Sequence, residues 1–344
     1  MSIDYRFVSQ GTVVRSVIPC TIFLDVGSTK SAHVFDHHQT GSRDKSTASL
    51  VLVESERLLD AIAQCSSVEV FTHYLPDLDS IVATWLARQI LAGESPKNSF
   101  FEALAAYADR IDQGETYLSS PEFVSLYSLL NLDLREVCRD HIDIDAESLK
   151  RLRSGHAVLD TLNDIGCTDF ERVPAEVDPE LWTATARALR DDFERYKSDL
   201  MASERFEAFL PCRKAPRRQP VHAVCVREPT ARLFKAWARG DPTLGPGPLL
   251  MVGLSSTRVV FSVPPNAGVN LVGLGDKLQA LEDETRAATG TLCSGDNRPG
   301  YSSPDPWYDG RGTEHNHTIV DSPRSGTLLK WDALKGVLER YSGC

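Results

Sequence analysis

The sequence predicts an α/β protein: a mainly parallel sheet with flanking helices, followed by a smaller α+β unit. Three observations carry this. Thr21–Leu24, His33–Phe35 and Val68–Phe71 are short apolar runs bounded by turn residues, and read as buried strands. Helical patterns lie between and after them, as crossover connections in a parallel sheet require. Beyond residue 220 three strand-like runs and one helical stretch make a smaller α+β unit.

In chain order, Glu54–Ile62 fits a crossover helix, and Asp79-Ser80 opens a helical pattern over Ile81–Leu91. Phe100–Ile111 carries helical apolar spacing and runs out through Asp109, Asp112 and Gly114. From about residue 120 to 205 the chain is largely helical. Leu181–Met201 is amphipathic, with Leu181, Ala184, Ala188 and Leu189 on one face. Pro211–Pro220 is rich in proline and charge and is the expected boundary, dividing the chain into 1–210 and 211–344. Past it, Val221–Val226, Leu249–Leu254 and Arg258–Val263 read as strands and Leu278–Ala288 as a helix.

The chemistry gathers where the first strands stop. Thr21–Leu24 runs into Asp25. His33–Phe35 runs into Asp36-His37-His38. Val68–Phe71 runs into His73, Asp77 and Asp79. Ligands of open parallel sheets collect at the carboxyl ends of the strands. If these strands are parallel neighbours, Asp25, Asp36, Asp77 and Asp79 converge with His37, His38 and His73. Any one of these aspartates alone is explained by a cap or a turn. As a set they suit two divalent ions sharing a carboxylate. Oxygen ligands with some imidazole favour Mn²⁺, with Mg²⁺ as the alternative, over Zn²⁺.

Asp36-His37-His38 and the His-x-x-x-Asp-x-Asp of His73, Asp77 and Asp79 resemble the signature motifs of the DHH phosphoesterase superfamily. Ser46-Thr47-Ala48-Ser49 is similar to the small-residue helix start that follows the Asp-His-His string in that family. The order here is Asp25, then Asp36-His37-His38, then His73 to Asp79, so the resemblance implies a permuted catalytic lobe within 1–210. It implies that His73 and Asp77 hold one metal, that His37 and Asp79 hold the other, and that Asp25 bridges them. It implies that His38 faces the substrate phosphate and that Asp36 orients His37. The family's further aspartate falls best on Asp112, with Asp109 as the alternative. A plain helix end capped by Gly114 also accounts for that segment.

The C-terminal region, from Ser294 to Gly300 and through Asp305–Gly312, His315, His317 and Asp321–Thr327, is dense in Gly, Arg, His and aromatic residues. Long loops of this kind inside a compact domain are usually functional or disordered. Arg298, Arg311 and Arg324 are candidate phosphate forks. Trp307 and Tyr308 either stack on a base or anchor the loop in an apolar pocket. Arg311 and His315 are the lead candidates for substrate contact. The Gly-Gly-Gly-His string that the resemblance would supply is absent.

The formal charge of −11 over 344 residues argues against a general nucleic-acid coater. A small anionic substrate remains compatible, because metals and a few arginines invert the field locally. The eight cysteines are scattered without a Cys-x-x-Cys pair, which predicts reduced intracellular thiols rather than a disulfide framework or a zinc site. No leader-like or membrane-spanning apolar run is present, so a soluble, cytoplasmic protein without membrane partners is expected. Monomer and homodimer both stay open. The expected function is an Mn²⁺-dependent phosphohydrolase acting on a small nucleotide, such as a short oligonucleotide or dinucleotide. A nucleotide-sensing regulatory protein on the same fold is the alternative, and an interaction module working through the long helices is a third reading.

Overall fold

The computed structural model describes residues 1–16, 18–38, 46–132, 143–214, 217–245, 249–291, 305–309 and 317–340. The protein is mixed α/β and divides into two compact units. One comprises Met1–Gln113 and Ser120–Arg190, the other Gly114–Ser119 and Asp191–Cys344.

The first unit holds β1 (Ser2–Val8), β2 (Thr21–Leu24), β3 (Val34–Phe35), α1 (Thr47–Val53), α2 (Ser55–Ala61), β4 (Ser67–His73), α3 (Leu78–Leu91), α4 (Ser99–Asp112), α5 (Leu126–Asn131) and α6 (Ile144–Asp164). α7 (Pro179–Met201) begins in it, and the boundary between units falls within this helix. The four strands form an all-parallel sheet in the order β1-β4-β2-β3. Phe23 pairs with both Phe71 and Val34, and Leu24 pairs with Phe35. The register therefore brings the carboxyl ends of β2, β3 and β4 to one edge. Every residue of β2 and β3 is buried, as expected of strands covered on both faces. β1 departs from this pattern: its residues are exposed or half-buried up to Phe7. It is an edge strand, and its Asp4 and Arg6 hide it from a search for apolar runs.

α3 begins where β4 ends and buries Ile81, Val82, Trp85 and Leu86. α6 approaches it at Gly155, where a Cβ would stand 2.6 Å from Cγ2 of Ile81. Among the described residues no helix is long and apolar enough to cross a membrane.

The expectation of free thiols throughout is corrected at one place. Cys20 and Cys65 form a disulfide with a Cα–Cα distance of 5.7 Å. Cys20 directly precedes β2 and Cys65 lies just before β4. These strands are parallel neighbours, so their amino ends meet although the two cysteines are 45 residues apart. Cys167, Cys212 and Cys225 are free.

The second unit holds β5 (Glu204–Pro211), β6 (Arg218–Arg227), α8 (Phe234–Gly240), β7 (Leu249–Leu254), β8 (Val259–Ser262), α9 (Leu274–Thr289), β9 (Ile319–Asp321) and α10 (Trp331–Arg340). Its sheet runs β5-β6-β7-β8-β9, antiparallel except for β6–β7. The ends of Pro211–Pro220 lie in this sheet, where Pro211 pairs with Arg218 and Phe209 with Pro220. Pro211 ends the edge strand β5, and Pro220 precedes the part of β6 that pairs with β7, which begins at His222, so both fall where a missing N–H is tolerated. The core gathers Leu250, Phe261, Leu278, Trp307, Val320 and Leu334. Trp307 is 1% exposed. Of its two expected roles, the structure gives it the anchoring one, because a ring sealed in a core cannot stack on a base.

Candidate metal centre

The centre is built on the carboxyl edge of the parallel sheet. Asp25 follows β2 with φ at 62°, in the left-handed region that side chains enter only at a cost. Its N–H still donates to the Phe35 carbonyl at 2.9 Å, so the ladder continues while the carboxylate turns inward. Asp36 and His37 follow β3, and His73 is the last residue of β4. Asp77 is the N-cap of α3, accepting from the Ser80 N–H at 3.1 Å, and Asp79 lies in the first turn of that helix. Asp112 is the last residue of α4.

Asp25 is the hub. Its Oδ1 lies 3.5 Å from Nε2 of His37 and 3.3 Å from Nδ1 of His38. Its Oδ2 lies 3.4 Å from Nε2 of His73, which in turn is 3.7 Å from Oδ2 of Asp77. His37 also reaches Asp79 (Nε2 to Oδ2, 3.8 Å) and Asp112 (Nδ1 to Oδ2, 3.6 Å). Three groups result, each with one donor atom per residue and all atoms within 4.8 Å of each other: Asp25, His37 and His38; Asp25, His73 and Asp77; His37, Asp79 and Asp112. Donors at right angles around an ion with bonds of about 2.1 Å stand roughly 3 Å apart, close to these separations. Asp109, the alternative to Asp112, instead accepts from the Ser46 hydroxyl at 2.5 Å.

One expected arrangement is corrected. The expectation puts Asp36 behind His37. Its carboxylate instead accepts from Nδ1 of His38 at 3.0 Å, from the His38 N–H at 2.9 Å and from the Ser28 N–H at 2.7 Å. The reason is local: the turn after Phe35 folds the backbone and ring of residue 38 onto residue 36. His38 is the more open of the paired histidines, with 47% of its side chain exposed against 5% for His37. Arg311 and His315 lie outside the described residues.

Electrostatics show what this packing demands. Burial pushes the Asp25 carboxyl up, but the His37, His38 and His73 imidazoles around it outweigh that and hold the group well below its usual range. Burial pulls His37 down, while the Asp112, Asp25 and Asp79 carboxylates drive it up to about 9. Burial likewise opposes charge on His38 and His73, yet the carboxylates beside them hold both well above the ordinary imidazole range. Asp79 stands well above its usual range through burial and the neighbouring Asp25 charge, and Asp112 rises to about 6, chiefly through burial. Protons on the imidazoles thus offset a knot of negative charge. A divalent cation would serve the same electrostatic need, and imidazoles must be neutral to ligate one.

The donor set fits such an ion. Nε2 of His37 is buried without a hydrogen-bond partner, and an unsatisfied buried polar atom is costly. It stands beside two carboxylate oxygens, where a cation would satisfy all three. The Nδ1 atoms of His73 and His38 are engaged by the Tyr74 carbonyl and Asp36, which fixes the ring orientations. Two groups escape a reading of the sequence: the hydroxyls of Thr47 and Ser80, both within hydrogen-bond distance of Asp25. Their only signal is adjacency to the motifs, since serine and threonine at helix starts are ordinarily caps.

No protein-family model and no curated protein matches the chain. A solved structure described as the DHH domain of a member of a ribosomal-protein family is similar over 70% of this chain and 66% of that one. The identity is 10% and the TM-score 0.23. The match therefore spans slightly less than two thirds of that protein.

Proposed function

We propose that the chain is a divalent-metal-dependent phosphoesterase of the DHH type, its motifs in permuted order, that hydrolyses a small nucleotide such as a short oligonucleotide or dinucleotide. The observation that carries the proposal is the placement of Asp25, which turns one oxygen toward His37 and His38 and the other toward His73. A carboxylate so placed suits a bridge between two ions. In this reading His73 and Asp77 would hold one ion with Asp25, and His37, Asp79 and Asp112 would hold the other. Two Mn²⁺ ions match the oxygen-rich donor set, with Mg²⁺ as the alternative. Such a pair, when bound, activates a shared water and neutralises phosphoryl oxygens.

The chain's own groups do the rest. Asp36 fixes the His38 ring through Nδ1, leaving the other nitrogen of a half-exposed imidazole to meet a phosphate oxygen. Asp77 keeps its carboxylate close to His73 by capping α3, so the helix start and the ligand pair are built by the same turn. Arg311 and His315 belong to the proposal as candidates for substrate contact, on the strength of their Gly- and Arg-rich surroundings in the sequence. The net charge of −11 favours a small substrate over a long polyanion.

The test is a panel of dinucleotides, short oligonucleotides and pyrophosphate, incubated with the protein with and without Mn²⁺ and read by product mass. Nucleoside monophosphates that form only with Mn²⁺ are expected. A metal-loaded protein that leaves every nucleotide intact refutes the proposal.

A further inference from the structure

The two oxygens of Asp25 are each met by a buried hydroxyl from a different helix. Thr47 of α1 donates from Oγ1 to Oδ1 at 3.2 Å, and Ser80 of α3 donates from Oγ to Oδ2 at 2.6 Å. Both residues are fully buried. Each also touches a neighbouring donor of the centre. The Thr47 N–H reaches Oδ2 of Asp79 at 2.8 Å, and Ser80 Oγ is 2.7 Å from Nε2 of His73.

Neither helix needs these hydroxyls for itself. α1 is capped by Ser46, whose side chain accepts from the Ser49 N–H, and α3 is capped by Asp77. An aspartate's terminal torsion is broad and roughly two-fold, so nothing intrinsic fixes the plane of its carboxylate. A carboxylate free to turn could offer both oxygens to one ion and none to the other. We propose that Thr47 and Ser80 are positioning residues that hold the Asp25 carboxylate with one oxygen toward each ion position, so that it bridges rather than chelates. Thr47 further ties this orientation to Asp79 through its own backbone. The inference rests on the two-ion reading above.

The test compares wild type with Thr47→Val, which keeps the shape and removes the hydroxyl, with Ser80→Ala, and with Thr47→Ser, which restores the hydroxyl. Each metal-free protein, its fold checked by circular dichroism, is titrated with Mn²⁺ by calorimetry. Its loaded form is then examined by electron paramagnetic resonance. Wild type should bind two ions and give the spectrum of an exchange-coupled pair. Thr47→Val and Ser80→Ala should weaken the second equivalent by roughly 10-fold or more and give the six-line signal of isolated Mn²⁺, and Thr47→Ser should restore the coupled spectrum. Wild-type affinity and coupling in Thr47→Val and Ser80→Ala overturn the proposal. So does a Thr47→Ser protein that behaves like Thr47→Val, since the loss would then be one of packing. A wild type that binds fewer than two ions instead overturns the two-ion reading itself.

Discussion

Oδ2 of Asp112 stands 3.6 Å from Nδ1 of His37, while Asp109, one turn earlier on the same helix, accepts a hydrogen bond from Ser46. One face of α4 therefore presents two aspartates with different surroundings. Asp112→Asn should lower divalent-metal affinity by roughly 10-fold or more, the scale seen when a group supporting a metal site is lost, with little change in unfolding midpoint. Asp109→Asn should do the reverse. It loosens the Ser46 cap of α1 and should cost about 1–2 kcal/mol of stability while metal binding stays near wild type. Calorimetric titration and urea unfolding of both variants separate the two outcomes.

Asp25→Asn should remove most of the proposed activity. The amide cannot carry the bridging charge, and several kcal/mol of transition-state stabilisation depend on the metals, so turnover should fall at least about 100-fold. Assay against the nucleotide cleaved by wild type, with metal content measured in parallel, checks this. Wild-type turnover would exclude a bridging role.

Much of the site was legible because its strands are buried on both faces and therefore read as unbroken apolar runs ending at ionisable residues. β2 and β3 stood out for that reason; β4 alternates buried with half-buried positions and carries Glu69, yet its Val68, Val70 and Phe71 still marked a strand, and α3 followed from the helical spacing of Ile81–Leu91 after Asp79-Ser80. β1 was not legible, because an edge strand keeps polar residues on its open side. The partner of Asp36 was not legible either, because its sequence adjacency to His37 and His38 is nearly equal, and only the turn geometry selects His38. The Cys20–Cys65 pair was hidden because strand order, not cysteine spacing, brings the two together.

That disulfide closes a loop that contains Asp25, Asp36, His37 and His38. With a sequence separation of 45 between its ends, chain-entropy bookkeeping gives about 4 kcal/mol of stabilisation. Cys20→Ser combined with Cys65→Ser should lower the urea-unfolding free energy by an amount of that order. Thiol titration of the wild-type protein under denaturing, non-reducing conditions should find both cysteines unreactive. Two reactive thiols there, or an unchanged unfolding free energy, would count against the bridge.

His156 gives a pH signature away from the centre. It is buried, within 3.0 Å of the Thr84 hydroxyl, and burial together with the Arg88 charge lowers its pKa to about 3. An unfolded histidine titrates near 6.5. Between these values the unfolded chain binds the extra proton, so stability rises with pH. The contribution is complete above about pH 6.5 and declines as pH falls toward 3. From pH 6.5 to 5 it amounts to about 2 kcal/mol. Unfolding free energies of wild type should therefore drop by about that much more than those of His156→Gln over this interval. Equal drops would mean that His156 protonates freely in the folded state.

Diffraction from crystals soaked in Mn²⁺, recorded at the manganese absorption edge, distinguishes a pair of ions bridged by Asp25 from any other arrangement. Two anomalous peaks about 3.5–4 Å apart are expected, one on each side of the Asp25 carboxylate. The first should lie against His73 and Asp77, the second against His37, Asp79 and Asp112. A single peak, peaks that leave Asp25 out of contact, or no peak at millimolar Mn²⁺ would exclude an Asp25-bridged pair.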